Sequence, residues 1–334
     1  MTPTRAAIRD AAAAIHHGRL VGMPTETVYG LACHALDDRA VARVFEAKAR
    51  PAFDPLIVHC SGDAQARRFA ATWPDVAQCL AEALWPGPLT LVLPKRVDGD
   101  RPVGDLVTSG LPTVALRVPN HRIALALIGA AGVPLAAPSA NRFGRISPTR
   151  AEHVADELGD RDDLAVVLDG GPCRTGVEST VVSCVDASDV TVLRLGGVSL
   201  ESLGEVLGGL PRVATREDGN DDAARGRVSP GMLARHYAPT TPLRLVDALD
   251  TDGAASAAAE PVGVLAFSSV PPALRRVPHE VLSATGDPLE AAANLFAALR
   301  RLDASGVSAI VAERAPDAGL GRAINDRLRR AAEA

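Results

Sequence analysis

The sequence predicts an α/β protein built from two units. Short apolar segments with strand-like spacing alternate with helical ones along the chain, and the composition of 47% hydrophobic and 22% charged residues is ordinary for a globular protein. A charged stretch poor in apolar residues, 211–228, divides a longer part from a shorter one. We therefore expect one domain at 1–210, a linker at 211–240 and a small domain at 241–334.

Composition and charge argue against several classes of protein. The net charge of -5 and the pI of about 5.9 are unlike those of a general nucleic-acid coat protein. The five cysteines show no C-x-x-C pair and no histidine neighbours at metal-ligand spacing, so no side-chain metal site is predicted and reduced thiols are expected. A secretory signal pattern and a membrane-spanning apolar run are both missing from the sequence, so we expect a cytoplasmic protein without a membrane partner.

The first motif follows the first predicted strand. Alanine-rich helical spacing covers 5–18, a buried strand is predicted at 20–23, and the chain then runs into PTETVYGL. Polar side chains at the end of a buried strand are typical of ligand sites in open α/β sheets. Thr25 and Thr27 could instead cap the next element. Glu26 fits a cap poorly, which favours a site.

The segment FEAKARPAFDPLIVH brings three unlike functional groups together. A helical run at 39–47 meets Pro51, so Lys48 and Arg50 are expected at a helix end or in a loop. PLIVH is typical of a short buried strand with His59 at its rim. Lysine is rare in this chain, with arginine supplying nearly every other cation, so the pair of cations favours a phosphate site. A solvated surface lysine is the alternative.

Two further predicted strands carry polar side chains. The strand predicted over 113–119 carries Arg117 in an apolar run, and a buried arginine needs an anionic partner. That partner is either a structural carboxylate or a ligand carboxylate, and the sequence leaves both open. A strand is also predicted over 134–141, where Ser139 and Asn141 would project from the same face because side chains alternate with period two.

The following segments offer hydroxyls and one more arginine. The loop NRFGRISPT, which ends at Thr149, reads either as a nucleotide-contacting loop or as a plain surface loop. Ser179 and Thr180 start the second of two predicted strands in LAVVLDGGPCRTGVESTVVSC, and VLRLGG supplies another strand with Arg194. A helix is predicted at 200–207.

The linker ends in a specific motif, SPGMLARHYAP, at 229–239. His236 and Tyr237 within it are unusual for a simple tether. Beyond the motif, predicted strands alternate with helices at 288–302 and 321–332, which is typical of a small Rossmann-like domain. This part of the chain lacks the glycine-rich motif of dinucleotide-binding domains. The chain also lacks the Walker A pattern, so ATP would have to bind by another route.

Seven motifs in order resemble those of the two-domain threonylcarbamoyl-AMP synthases, whose first domain is YrdC-like: PTETVYGL, K-x-R-P with PLIVH, TVALRVP, APSAN, ESTVV, LR-x-G and SPGM-x-x-x-HYAP. The resemblance extends to the ending GLGRAINDRLRRAA. It implies a YrdC-like twisted open sheet with flanking helices, followed by the smaller Rossmann-like domain. It also implies synthesis of threonylcarbamoyl-AMP and pyrophosphate from L-threonine, bicarbonate and ATP with Mg²⁺. The product would pass to a tRNA threonylcarbamoyl-transferase machinery that modifies the adenosine next to the anticodon, and stable tRNA binding by this chain is not expected.

By motif position, the resemblance assigns roles to individual residues. The residues implied for L-threonine are Thr27, His59, Arg117, Ser139 and Ser179. Those implied for ATP are Lys48, Arg50, Asp54, Thr113, Asn141, Thr149, Arg194, His236 and Tyr237. Lys48 and Arg50 would also be the catalytic cations. The segment with His236 and Tyr237 would fold back over the nucleotide.

Two positions depart from the family pattern, and two other functions compete. Asp54 replaces the usual asparagine, and Leu195 replaces a common proline. A bare Asp54 would repel phosphates. We expect instead that it binds Mg²⁺ or pairs with Arg50. The rival functions are a non-catalytic RNA-binding protein with a cationic concave face, and a carbamoyl transfer protein. The second would carry acylphosphatase-like or zinc-binding segments that this sequence lacks.

Overall fold

A computed structural model describes residues 3–51, 53–98, 102–186, 189–214, 236–249 and 261–333. Over these residues the chain forms a ten-stranded mixed sheet and a separate four-stranded parallel sheet. The predicted two-unit α/β fold is therefore confirmed. The SPGM part of the linker motif lies outside the described residues.

The first unit consists of the large sheet and its helices. Its strands are β1 (Leu20–Met23), β2 (Gly30–His34), β3 (Ile57–His59), β4 (Leu89–Pro94), β5 (Thr113–Arg117), β6 (Leu135–Ala136), β7 (Leu164–Val167), β8 (Thr180–Ser183), β9 (Thr191–Arg194) and β10 (Arg212–Val213). The spatial order is β10-β9-β8-β4-β5-β3-β6-β2-β1-β7. Its helices are α1 (Arg5–His16), α2 (Asp38–Lys48), α3 (Asp63–Arg67), α4 (Asp75–Leu84), α5 (Asp105–Thr108), α6 (Arg122–Ala131), α7 (Ala151–Leu158) and α8 (Leu200–Leu207).

The register of the central strands places two predicted site residues side by side. β3 and β5 are parallel, with His59 opposite Arg117 and Ile57 opposite Ala115. Because side chains alternate along a strand, all four project from one face of the sheet. Both polar residues are the last residues of their strands. This position was predicted for His59, whereas the strand predicted over 113–119 ends earlier than expected, at Arg117.

One predicted strand is much shorter than expected. β6 spans only Leu135–Ala136, because Pro134 and Pro138 bracket it and a proline has no N–H for the ladder. The prediction of a strand over 134–141 is therefore wrong beyond Ala136. The expectation that Ser139 and Asn141 share a strand face fails with it.

The second unit has the predicted outline of a small Rossmann-like sheet. Its strands are β11 (Leu243–Val246), β12 (Val262–Ala266), β13 (His279–Val281) and β14 (Ala309–Glu313), in the order β11-β14-β12-β13. Its long helices are α9 (Pro288–Asp303) and α10 (Gly321–Ala332). Across the described parts of both units, no helix is both long enough and apolar enough to span a bilayer.

The two units are packed against each other through a shared core. Val28 and Val177 of the first unit belong to the same apolar cluster as Phe296 on α9 and Tyr237 of the linker. Gly176 has a φ of +73° and lies so close to α9 that a Cβ there would collide with the main chain of Ala292. A glycine is therefore required at this junction for both its conformation and its lack of a side chain.

Candidate active site

A cavity of about 50 Å³ lies over the face of the large sheet that carries His59 and Arg117. At roughly 10–15 Å³ per water, this is room for about four water molecules, which is the scale of a small amino acid and far below that of a nucleotide. The predicted threonine residues all line it: Thr27, His59, Arg117, Ser139 and Ser179. Four of the predicted ATP residues line it as well: Arg50, Arg194, His236 and Tyr237.

Arg117 finds a carboxylate inside the protein. Its Nη2 lies 2.8 Å from Oε1 of Glu26, and both side chains are buried. Nε of Arg117 also donates to the Gly87 carbonyl oxygen at 3.3 Å. The open question about the partner of Arg117 therefore has a structural answer: the carboxylate of Glu26 pairs with it, and Arg117 still lines the cavity.

His59 is held as a neutral imidazole. Burial, reinforced by the charge of Arg117, lowers the pKa of His59 to about 3. Its Nδ1 lies 3.2 Å from the carbonyl oxygen of Ile57, and the main chain of Leu135 is a second hydrogen-bond partner of the ring. A neutral imidazole has one nitrogen that can accept a hydrogen bond, for example from a hydroxyl or an ammonium group.

Ser179 and Arg194 form the opposite wall of the cavity. The Ser179 hydroxyl is 2.8 Å from the hydroxyl of Thr90 and accepts from Nη2 of Arg194 at 3.1 Å. Nη2 and Nε of Arg194 also donate to the Ser179 carbonyl oxygen, at 2.9 and 3.1 Å. Arg194 therefore holds Ser179, one of the residues predicted to contact the L-threonine substrate, in place.

The PTETV turn serves both as a cap and as a wall. The Thr25 hydroxyl accepts from the N–H groups of Thr27 and Val28 at 3.2 Å and donates to the Val28 carbonyl oxygen at 2.6 Å. Thr25 and Thr27 nevertheless line the cavity. The Thr25 hydroxyl thus acts as a cap of this turn, and the interpretation of the segment as a ligand site stays a prediction.

The cations predicted for the phosphates are occupied by the protein itself. Arg50 Nη2 lies 2.9 Å from Oδ2 of Asp54. Nε and Nη2 of Arg50 also donate to the carbonyl oxygens of Asp54 and Pro55, at 3.0 and 3.1 Å. This supports the expected pairing of Asp54 with Arg50 over a bare carboxylate facing the phosphates.

Lys48, the last residue of α2, points to main-chain acceptors. Its Nζ donates to the carbonyl oxygen of Ser139 at 2.5 Å and to that of Asn141. Complete burial, with a smaller effect of the Arg50 charge, lowers the pKa of Lys48 to about 7. The ammonium group is thus bound to the APSAN loop beside the cavity rather than exposed in it.

Three more of the predicted ATP residues do not line the cavity. The Asn141 side-chain amide donates to the carbonyl oxygens of Arg142 and Arg145, at 2.7 and 2.9 Å, and so shapes the following loop. Thr149 is buried at the end of that loop. Thr113 is at the opposite end of β5 from Arg117, about 13 Å along the strand.

His236 and Tyr237 form a roof over the cavity. Tyr237 stacks on Phe296 with ring centroids 5.6 Å apart, and His236 meets Phe143 edge-on at 5.8 Å. The Ala238 N–H donates to the Gly144 carbonyl oxygen at 2.8 Å. Tyr237 has a φ of +66°, a strained conformation for a tyrosine, so its packing must hold it in place. Burial, together with the charges of Arg50 and Lys48, lowers the pKa of His236 well below its ordinary value.

Glu178 and Arg327 are site residues that the sequence analysis missed. Glu178 lines the cavity and accepts from Ser147 Oγ at 2.5 Å and from Arg327 Nε at 2.7 Å. Both lie in segments that the resemblance quoted, ESTVV and the C-terminal ending. Glu178 is a charge beside an apolar run, which was the available signal, whereas Arg327 lies in an arginine-rich helix that offers no such signal.

Comparison with known protein families matches the chain in two parts. Residues 13–196 match the Sua5, YciO and YrdC family model, described as telomere recombination, and residues 198–333 match the model of the threonylcarbamoyl-AMP synthase C-terminal domain. The chain belongs to the threonylcarbamoyl-AMP synthase family. A family member from Bacillus subtilis is 41% identical over 97% of this chain and 92% of its own length, and one from Pyrococcus abyssi is 42% identical over 97% and 93%.

Solved structures of the synthase family agree with the fold. The crystal structure of Pyrococcus abyssi Sua5 complexed with L-threonine is 39% identical, with a TM-score of 0.88, and covers 99% of this chain and 96% of that one. A variant of the same protein, with an adjacent histidine and tyrosine both changed to alanine, has a TM-score of 0.85 at 38% identity, over 99% of this chain and 96% of that one. The resemblance and the YrdC-like fold predicted from the motifs are confirmed.

Proposed function

We propose that this enzyme joins L-threonine, bicarbonate and ATP to form threonylcarbamoyl-AMP and pyrophosphate. The observation that carries the proposal is the cavity of amino-acid size, lined by every residue predicted to contact threonine. Arg117 offers a donor for the carboxylate, and neutral His59 offers an acceptor for the hydroxyl or the ammonium group. Val28, Ile57 and Ala137 supply apolar cover for the methyl group.

The proposed reaction proceeds in two steps. The threonine amine attacks bicarbonate to give a carbamate with loss of water. A carbamate oxygen then attacks the α-phosphorus of ATP, and pyrophosphate leaves. No protein nucleophile is required, so catalysis would consist of positioning and electrostatic stabilisation of the phosphates. Arg50, Arg194 and Lys48 are the nearby cations suited to that work.

Mg²⁺ would come to the site with ATP. The described residues contain no group of three metal-ligating side chains. The nearby carboxylates are also engaged, Asp54 with Arg50 and Glu178 with Ser147 and Arg327. The ion would therefore be held chiefly by phosphate oxygens and water, as Mg²⁺ usually is in nucleotide sites.

ATP binding also requires the roof to move. The cavity volume is far smaller than a nucleotide, and His236 and Tyr237 line it together with Arg50 and Arg194. Opening of this segment would admit ATP, and closure would exclude water during the second step. The product would then pass to the transferase machinery that modifies tRNA, in a cytoplasmic setting.

A product assay with isotopically labelled bicarbonate tests the function. We expect pyrophosphate release only when threonine and bicarbonate are both present, with the label recovered in the adenylate. Serine should react about fivefold less efficiently, because its missing methyl group costs roughly 1 kcal/mol of apolar burial. Equal pyrophosphate release in degassed, bicarbonate-free buffer would contradict the mechanism. RNA binding with steep salt dependence and no turnover of ATP would instead indicate the RNA-binding alternative.

A further inference from the structure

Arg327, in the second unit, is the largest fully buried side chain of the described structure. It lies on α10, within the GLGRAINDRLRRAA ending to which the proposed reaction gives no role. A buried guanidinium is costly unless its donors are satisfied. The contacts that satisfy it lead directly to the active site of the first unit.

The guanidinium of Arg327 uses all three nitrogens. Nε donates to Glu178 Oε2 at 2.7 Å, Nη2 donates to the Leu195 carbonyl oxygen at 2.9 Å, and Nη1 donates to Asp326 Oδ2 at 2.6 Å. Glu178 and Leu195 belong to the first unit, so two of these three bonds cross between the units. Asp326 also accepts from Arg329 and Arg330, which holds it in place beside Arg327.

The residues that Arg327 contacts are next to predicted substrate contacts in the chain. Glu178 precedes Ser179, and Leu195 follows Arg194, the arginine that bonds to Ser179. The second oxygen of Glu178 accepts from Ser147 in the loop that runs from Asn141 to Thr149. A displacement of Arg327 would therefore disturb both Ser179, which lines the cavity, and the loop from Asn141 to Thr149.

The same guanidinium also supports the roof. Its central carbon lies 4.8 Å from the centre of the Tyr237 ring, a distance that allows a cation–π interaction, and Phe296 stacks on Tyr237 at 5.6 Å. The strained Tyr237 is thus held by two side chains of the second unit. Arg327 touches both the roof and one wall of the cavity.

We propose that Arg327 is a positioning residue for synthesis: one side chain of the second unit fixes Glu178 and Tyr237, so the active site is complete only with that unit docked. This inference rests on the proposed function. Glu178 supports it electrostatically, since burial alone would raise the pKa of its carboxyl, whereas the charges of Arg327 and Arg194 hold that pKa below its ordinary value.

Arg322 provides a matched control for the simpler idea that Arg327 only joins the two units. It lies on the same helix, and its Nη1 is 2.5 Å from Oε1 of Glu201 on α8, so it also forms an ion pair between the units. Neither Arg322 nor Glu201 lines the cavity. Loss of docking alone should affect both variants in proportion to their loss of stability.

The experiment compares full-length Arg327→Ala, Arg327→Lys and Arg322→Ala with the wild type, by thermal melting and by steady-state pyrophosphate release well below every melting midpoint. We expect kcat to fall between about ten- and a hundredfold in Arg327→Ala, less in Arg327→Lys, and less than about twofold in Arg322→Ala. Guanidinium ion at millimolar concentration should partly restore Arg327→Ala alone, because the substitution leaves a buried space of matching shape.

The pH dependence of the rate distinguishes a positioning role of Arg327 from a role that only joins the two units. Without Arg327, burial should raise the pKa of Glu178, so the rate of Arg327→Ala should fall on acidification at a higher pH than that of the wild type. Adding Glu178→Gln to Arg327→Ala should abolish this shift of the acidic fall in rate. Wild-type kinetics in folded Arg327→Lys would overturn the inference, even if Arg327→Ala fails to fold. So would losses in folded Arg327→Ala that match those in Arg322→Ala and show no guanidinium rescue. An inactive wild type would instead overturn the proposed function.

Discussion

The two halves of the cavity differ in what a ligand must displace. On the threonine side, Arg117 is paired with Glu26 at 2.8 Å and lines the cavity together with the neutral imidazole of His59. On the nucleotide side, Arg50 and Lys48 donate hydrogen bonds to main-chain carbonyl oxygens of the protein. We therefore expect the cavity to admit threonine as it stands, whereas phosphate groups would have to replace internal hydrogen bonds of Arg50 and Lys48.

This difference predicts an order of events. We expect threonine to enter the cavity with little rearrangement. ATP would have to bind a less populated, open state of the roof, and its apparent affinity would be reduced by the population of that state. Changes on the threonine side should act on threonine alone. Substitutions on the nucleotide side should instead change roof closure, the pH dependence of ATP binding or the stability of the protein.

The largest expected effect is on the threonine side. Replacing Arg117 by Met in a Glu26→Gln background removes the buried ion pair without leaving a lone charge. The value of kcat/KM for threonine should fall by about a hundredfold or more, since a buried charged contact of roughly 3 kcal/mol is lost. The KM for ATP should change much less. Glu26→Gln alone is the control and should retain most of the activity, and similar losses in both variants would argue against a contact between Arg117 and threonine.

Removing the roof should have the next largest effect. Tyr237→Ala deletes the ring held by Phe296 and Arg327, and kcat should fall by about tenfold because water is no longer excluded during transfer. Threonine affinity measured without ATP should stay within about twofold of the wild type. A large loss of threonine affinity with normal kcat would show that the roof belongs to the threonine half instead.

A smaller effect concerns pH and Lys48. Because the pKa of Lys48 is lowered to about 7, its protonated fraction falls as the pH rises through neutrality. If phosphate needs the ammonium form, the KM for ATP should rise by roughly tenfold between about pH 6 and pH 8. Lys48→Met should bind ATP more weakly and without this slope, whereas an unchanged slope in the variant would assign the pH effect to another group.

The smallest catalytic effect is expected for Asp54. Its carboxylate is paired with Arg50 and fully buried, so Asp54→Asn should lower the free energy of unfolding by about 3 kcal/mol. The Mg²⁺ concentration for half-maximal pyrophosphate release should shift by less than about twofold. A large shift at unchanged stability would show that Asp54 takes part in holding the ion.

The same comparison shows what the sequence could and could not predict. Local apolar pattern sufficed to place His59 and Arg117 on short buried strands, whereas their position side by side depends on the pairing of β3 with β5, which the sequence does not show. Asn141 was misjudged because Pro138 stops β6, after which the chain turns instead of alternating. The contact between Glu178 and Arg327 joins residues 149 positions apart, and no local pattern carries that information.

Calorimetric titration of threonine into the full-length protein without ATP tests most directly whether the cavity admits threonine as it stands. We predict that threonine binds the wild type and Tyr237→Ala with closely similar affinity, and that binding is lost in the Arg117 variant with Glu26→Gln. Threonine binding that requires ATP to be present, or that persists without Arg117, would contradict the account.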